Sequence, residues 1–349
     1  MTIATQPWLD LVVEDVIEPE RPICDPHHHL WDHPDSRYLL DELLADTGGG
    51  PGDARHNVVS TVFVECSSMY RLDGPEALRP VGETEFVNGV AAMSASGAYG
   101  ATRACAGIVG FADLTLGAAV AEVLDAHLRA SPRFRGIRHA AGWDASPAVR
   151  NSHTNPFEHL LLDPDFRAGF AELGPRGMTF DAWLYHPQIP ELIDLARAFP
   201  ETTIILDHFG GPLGIGPYAA RREEIFENWK SDIRKLAECS NVVAKLGGLV
   251  MPVNGFGFHK LPAPPDSDAI VAATGRYHLH AIECFGADRC MFESNFPVDK
   301  QSCSYPVLWN AFKKLVSGAS AAEKDALFHD TAARVYRLSD TTDSTGSRY

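Results

Sequence analysis

Apolar residues along the chain fall into short continuous runs rather than one sustained periodic pattern. Eight runs have strand length, at 23–29, 58–66, 104–111, 134–140, 178–185, 202–207, 242–246 and 290–294. Many are apolar throughout instead of alternating, as expected of parallel strands covered by helices. Helical spacing recurs between them at 84–96, 116–130, 190–199 and 223–239, the last being the longest of these. One strand in roughly every 25 to 50 residues is the rhythm of βα units with insertions. Eight such units predict an α/β fold, a single-domain (β/α)8 TIM barrel over 23–338, with insertions in the βα loops. A lead segment, 1–22, precedes it. A tail at 339–349, rich in Ser, Thr, Asp and Gly, follows and is predicted to be flexible. An open doubly wound sheet would more often show G-x-G-x-x-G after its first strand. Here the first run leads into His27-His28-His29-Leu30-Trp31. Gly/Pro-rich stretches at 47–52, 210–217 and 251–265 follow strands 1, 6 and 7, and the last two are placed to shape or cover a pocket.

Active sites of such barrels lie at the carboxyl ends of the strands. Polar residues of this chain collect there. Strand 1 ends in His27 and His29, strand 2 in Glu65, strand 4 in Arg138 and His139. Strand 5 carries Asp181, Tyr185 and His186, strand 6 Asp207 and His208, strand 7 Lys245, and strand 8 Glu293, Asn295 and Asp299. Alternation along a strand puts His27 and His29 on one face and His28 on the other. Two imidazoles aimed together suit a divalent metal or a tightly held polar substrate. Structural roles compete at three positions: Asp207 as a helix cap, Lys245 as partner of a barrel carboxylate, and Glu65 as the mate of Arg138. Aromatic residues near the rim, among them Trp31, Trp183, Tyr185 and Phe209, suit a flat or apolar ligand as well as barrel packing.

A formal charge of −16 argues against a nucleic-acid or anionic-membrane partner, and still allows an anionic small molecule where local arginines reverse the field. Seven cysteines, an odd number without C-x-x-C, fit free thiols and a cytoplasmic setting. No signal-peptide pattern and no membrane-length apolar run is visible.

The strand-1 D-x-H-x-H (Asp25, His27, His29), the strand-6 Asp207-His208 and the strand-8 Ser294-Asn295-Phe296-Pro297 resemble the amidohydrolase superfamily, in its amidohydrolase-2 branch of lactonases and related decarboxylases. The likeness runs from about residue 23 to about residue 338. It implies that His27 and His29 bind a divalent metal, zinc or manganese, or contact substrate in members that work without one. It implies that His208 contacts metal or polarises the reacting carbonyl, that His186 matches a strand-5 metal histidine, and that Arg138 grips a substrate carboxylate. Tyr185, Glu65 and His139 complete the candidate substrate-binding set. Barrels of this type often pair, and a homodimer is one assembly open to the chain.

The departure is at strand 8, where the family usually has an aspartate and this chain has Asn295. A neutral amide is a weak metal ligand and no general base near neutral pH. Glu293, Asp299 and Glu65 are the carboxylates that could replace it. The expected chemistry is attack of activated water on a lactone or similar cyclic ester or amide of a small carboxylate-bearing molecule. His208, Asn295, Glu293 and Asp299 are the catalytic candidates, and His27, His29 and His186 the metal candidates. Non-oxidative decarboxylation of an aromatic or muconate-type acid is the alternative, and a binding protein on an altered enzyme scaffold the third reading.

Overall fold

A computed structural model of the protein describes residues 6–48 and 55–338. The tail at 339–349, and positions 49–52 of the 47–52 loop, lie outside them. Eight parallel strands form a nearly closed barrel: β1 (Pro22–His28), β2 (Asn57–Val64), β3 (Arg103–Gly110), β4 (Phe134–Arg138), β5 (Thr179–Ala182), β6 (Ile204–Leu206), β7 (Val242–Leu246) and β8 (Cys290–Phe292). Each pairs with its neighbours in sequence. The ring is completed beyond the end of β8, where His29 N donates to Phe296 O (2.8 Å) and Asn295 N donates to His27 O (2.9 Å). Closure thus falls on the two segments that carry the expected chemistry, and it locks their backbones together.

Strands β5, β6 and β8 are shorter than the apolar runs predict. At β6 the chain leaves the sheet at Leu206 and turns through Asp207–Gly210, with His208 and Phe209 at φ of 51° and 59°. Non-glycine residues rarely adopt this left-handed conformation, and it persists where surrounding contacts hold it.

Helices Val81–Ala95, Ile189–Ala198 and Arg222–Ala237 fall where their spacing predicts them. The predicted 116–130 helix is divided. Gly117 (φ 60°, ψ −145°) ends a first tight turn, and the α-helix itself is Ala121–Ala130. Two helices without a sequence counterpart lie beside β7 and β8, Tyr305–Leu315 and Ser267–Phe285, and the latter is longer than Arg222–Ala237. Ser267–Phe285 packs against both neighbouring helices and the sheet. Its buried positions therefore include Thr274 and His278 beside Ile270, Tyr277 and Phe285, which blurs the apolar stripe.

The floor is apolar. Cys24, Val62, Val64, Val109, Ile205, Val243 and Met291 pack with Ala332, Val335 and Tyr336 from the C-terminal segment. The lead segment lies outside the ring, where Asn310 Nδ2 donates to Glu14 (3.0 Å) and to Asp15 O (2.9 Å), and Lys313 Nζ donates to Ile17 O (2.7 Å) and Glu18 O (2.8 Å). None of the described helices is long and apolar enough to cross a membrane. All seven cysteines are free thiols.

Candidate active site

The first strand delivers its histidines through an irregularity. Asp25 pairs with Thr61 and His28 with Phe63, so three steps on β1 oppose two on β2. Such a bulge re-aims side chains. Asp25, which simple alternation would put beside His27 and His29, instead accepts from Ser294 N (2.9 Å) and the Tyr305 hydroxyl (3.0 Å). It braces β1 against the chain after β8, and burial pushes its carboxyl up to about 6. His28 turns away to Thr61 Oγ1 (2.8 Å). His27 and His29 remain together, their rings 4.9 Å apart.

Beneath the mouth of the barrel lies a closed layer of charge. Lys245 Nζ is 2.6 Å from Asp181 and 3.2 Å from Asp207, and the Tyr336 hydroxyl donates to Asp181 (2.6 Å). Arg138 Nε donates to Glu65 (2.7 Å), its Nη2 to the Glu65 carbonyl, and His153 Nε2 holds the other Glu65 oxygen at 2.9 Å. His27 sits between the two cations. Its Nδ1 is 2.8 Å from Glu293 and 3.3 Å from Lys245 Nζ, and its Nε2 is 3.3 Å from Arg138 Nη1.

Burial drives the protonation of this layer, and partners decide its sign. Burial, with Lys245 and other cations adding to it, holds the His27 imidazole well below its ordinary range. Burial alone would raise Glu65, but His153 and Arg138 outweigh it and hold that carboxylate far below normal. Burial would likewise lower the Lys245 ammonium, and Asp181, Asp207 and Glu293 raise it instead. Four buried carboxylates (Glu65, Asp181, Asp207, Glu293) thus face two permanent cations, and Asp207 is held by ion-pair contacts alone among the described residues, with Lys245 Nζ at 3.2 Å and Arg138 Nη1 at 3.7 Å. An acid excess of this kind suits additional positive charge nearby.

His208 stands at the upper edge of the layer. Its Nδ1 is 2.6 Å from Glu293 Oε1, and its ring meets Trp183 edge-on at 5.0 Å. Two glycines after β7 make the space. A side chain at Gly247 would run into Glu293, and one at Gly248 (φ 73°) into the His208 ring. With Nδ1 carrying the proton toward a carboxylate, Nε2 keeps its lone pair. His27, His208 and Glu293 bring ligand atoms within 4.8 Å of one another, a set that could hold a metal ion.

Above this lies a cavity of about 570 Å³. Arg138, Arg150, His29, His153, His208 and Asn295 line it, with apolar walls from Trp31, Trp183, Ile215, Met251, Pro252 and Val253. The 210–217 and 251–265 stretches therefore do shape the pocket. Among the described residues, no aspartate or glutamate lines it.

The structure sorts the sequence candidates. His27, Glu293 and His208 meet, and His29, Arg138, Tyr185 and Asn295 reach the cavity. His186 does not join them: its Nδ1 accepts from Leu213 N (3.3 Å), it packs on Tyr218, and burial pushes it down to about 4. Nor does His139, which takes the Leu114 N–H (3.2 Å) between Phe111 and Phe166 and is pushed by burial to about 4. His29 Nδ1 is bound to the Val64 carbonyl (2.8 Å) and stands outside the His27–His208–Glu293 set. Asp299 lies behind Asn295, accepting from its Nδ2 (3.1 Å), and burial holds it well above the carboxylate range. Glu65 is the mate of Arg138. Phe209 packs into the core against His278. Arg150 and His153 were not foreseen. They lie on the long connection after β4, whose irregular polar sequence carries no strand-end signal.

Comparison with known proteins places the chain in a family. The profile of the amidohydrolase-2 family (amidohydrolase) matches residues 24–338. An uncharacterised protein, y4mH, of Sinorhizobium fredii is 35% identical over 338 residues, covering 90% of this chain and 98% of its own. An L-fucono-1,5-lactonase of Burkholderia multivorans is 27% identical over 286 residues, covering 77% and 88%. Among solved structures, a zinc-bound amidohydrolase from Burkholderia multivorans shares the fold with a TM-score of 0.68 at 23% identity, over 91% of this chain and 99% of that one. The chain belongs to the amidohydrolase-2 family.

Proposed function

We propose that the protein is a hydrolase that opens a lactone, or a similar cyclic ester, of a small carboxylate-bearing molecule. The observation that carries this is the Glu293–His208 pair, set at the edge of a cavity lined by two arginines and no acid. An acid-free, arginine-lined pocket in a chain of charge −16 favours an anionic substrate. The family, and the likeness to an L-fucono-1,5-lactonase, support hydrolysis of a cyclic ester.

The residues present divide the work. His208 Nε2 takes a proton from water as the water oxygen attacks the carbonyl carbon. Glu293, on Nδ1, fixes the tautomer and stabilises the imidazolium. As the ring C–O bond breaks, His208 returns that proton to the departing alkoxide. Asn295 gives one N–H to Asp299 and retains a second, which can donate to the developing oxyanion. The guanidinium fork of Arg138 is occupied by Glu65, so the carboxylate grip falls to Arg150, which forms no ion pair among the described residues. Trp31 and Trp183 supply flat apolar walls. A divalent ion, where one is bound, would be held by His27, His208 and Glu293 and would add positive charge beside the reacting carbonyl, while the proton transfers rest on His208 and Glu293.

The test is a panel of sugar-acid and dicarboxylate lactones beside their uncharged analogues and a set of aromatic carboxylates. Acid release from a carboxylated lactone, without CO2, is the expected result. CO2 release from an aromatic acid with no lactone turnover overturns the reading.

A further inference from the structure

The opposite end of the barrel carries a second basic cavity, remote from the charged layer. It lies at the amino ends of β2, β3 and β4 and measures about 430 Å³. Arg103, Arg133 and Arg135 line it, and no aspartate or glutamate among the described residues does. The lining histidine, His329, is already paired with Asp330 at 2.8 Å. Arg337 stands beside the group, its Nη2 3.5 Å from Arg135 O.

These guanidinium groups are only partly used. Arg103 Nη1 donates to Ala101 O (3.2 Å) and Arg133 Nη1 to Asn88 Oδ1 (3.2 Å). Arg135 donates through Nε to Tyr336 O (2.6 Å) and through Nη1 to Pro132 O (2.8 Å) and Phe134 O (3.0 Å). Nη2 of all three arginines makes no hydrogen bond among the described residues, and none of the three forms an ion pair there. Burial, then the crowding of Arg337 and Arg133, lowers the Arg135 guanidinium. Like charges gathered without a counter-charge are costly unless an anion joins them. A carbonyl-capping role explains the bonds that are made. It does not explain three guanidinium groups, each with an unused Nη2, on one hollow that has no acid among its described lining residues in a strongly acidic chain.

We propose that this cavity is a binding site for a small phosphorylated metabolite. Guanidinium forks match phosphate oxygens in paired hydrogen bonds. The volume exceeds that of a lone phosphate, and the remaining wall, from Ala91, Ala95, Pro132 and Leu338, is apolar and suits an organic body.

Calorimetric titration of the full chain at fixed ionic strength tests this, with glycerol 3-phosphate, glucose 6-phosphate, inorganic phosphate and glucose as probes. At least one phosphomonoester is expected to bind with Kd below about 1 mM, at least about five-fold more tightly than inorganic phosphate, with no heat from glucose. Arg133→Ser should weaken it about ten-fold or more, and the exposed control Arg129→Ser should leave it unchanged. If Arg133→Ser does not fold, Arg133→Lys serves. It keeps the charge, loses the fork, and should weaken binding about three-fold. Absence of phosphomonoester binding up to about 10 mM, or equal binding by the Arg133 variants and wild type, overturns the site. Inorganic phosphate binding as tightly as the monoesters overturns its assignment to a metabolite.

Discussion

The wall of the main cavity and the layer just beneath it differ in one respect that organises the rest. The wall presents arginine, histidine, amide and indole, and no carboxylate. The layer below holds Glu65, Asp181, Asp207 and Glu293, all fully buried. Negative charge is thus present near the reacting position but kept out of the substrate's reach. An anionic substrate meets no repelling acid, while the acids hold the histidines and cations in place. His208 is at the boundary, with one nitrogen on Glu293 and its ring against Trp183. A proton can pass between layer and cavity through it.

That division can be broken at its boundary first. His208→Ala should lower kcat/KM on the lactone that the panel identifies by about 10³-fold, with the circular dichroism spectrum unchanged. A loss under ten-fold would place the proton transfer elsewhere. Glu293→Gln keeps the shape and removes the charge, and a loss of about 10²-fold in kcat is expected. Arg150→Ser acts on the wall alone. It should raise KM for the carboxylated lactone by about ten-fold and leave the uncharged analogue unaffected. An equal change for both would remove Arg150 as the carboxylate contact.

Histidines away from the cavity give a different signal. Burial holds His28, His127, His139, His186 and His278 at about 4, against an ordinary value near 6.5. A depressed imidazole favours folding above the unfolded value, and that contribution is lost as pH falls from about 6.5 toward 4, by up to about 3 kcal/mol each. Asp25, raised to about 6, and Glu83, raised to about 8, work in the opposite direction, as do Asp46, Asp181 and Asp299, which burial also raises. Burial lowers His27, His29 and His56 as well, so the depressed imidazoles outnumber the raised acids and Tm should fall between pH 7 and pH 5. A Tm that holds or rises would show these imidazoles to be charged in the fold. The smallest effect expected is that of chelation. Both His27 nitrogens already have partners, Glu293 at Nδ1 and Arg138 at Nε2, and the His208–Glu293 relay needs no ion. Dialysis against a chelator should change kcat less than about two-fold; a loss restored by zinc would make the ion essential.

The barrel was legible because its strands are buried on both faces and read as apolar runs. The ends of those runs lie at the carboxyl end of the barrel, where His27, His29, Arg138, His208 and Glu293 gather. What the sequence did not reveal has physical causes. The bulge between Asp25 and His28 parts Asp25 from the histidines without any change of composition. The match of His186 to a metal histidine rests on its position after β5, but the chain turns there and aims the ring at Leu213 and Tyr218. Arg138 and Glu65 both sit at strand ends, and only three-dimensional pairing shows that they consume each other's hydrogen-bonding capacity. Arg150 and His153 enter from an irregular loop, where no periodicity reports direction. Asn295 signalled that the usual acid was missing. The glycine pair after β7 makes room for the carboxylate and imidazole now found there, a role that depends on the close approach of two strands' ends.

The shared proton path is tested most directly by a double-mutant cycle over His208→Ala and Glu293→Gln, read as kcat/KM on the carboxylated lactone. If Glu293 acts through His208, the double variant should be within about two-fold of His208→Ala alone, because residues that act as a unit are not additive. A double variant slower than His208→Ala by the full factor of about 10² seen for Glu293→Gln would contradict it, and would give Glu293 a role of its own.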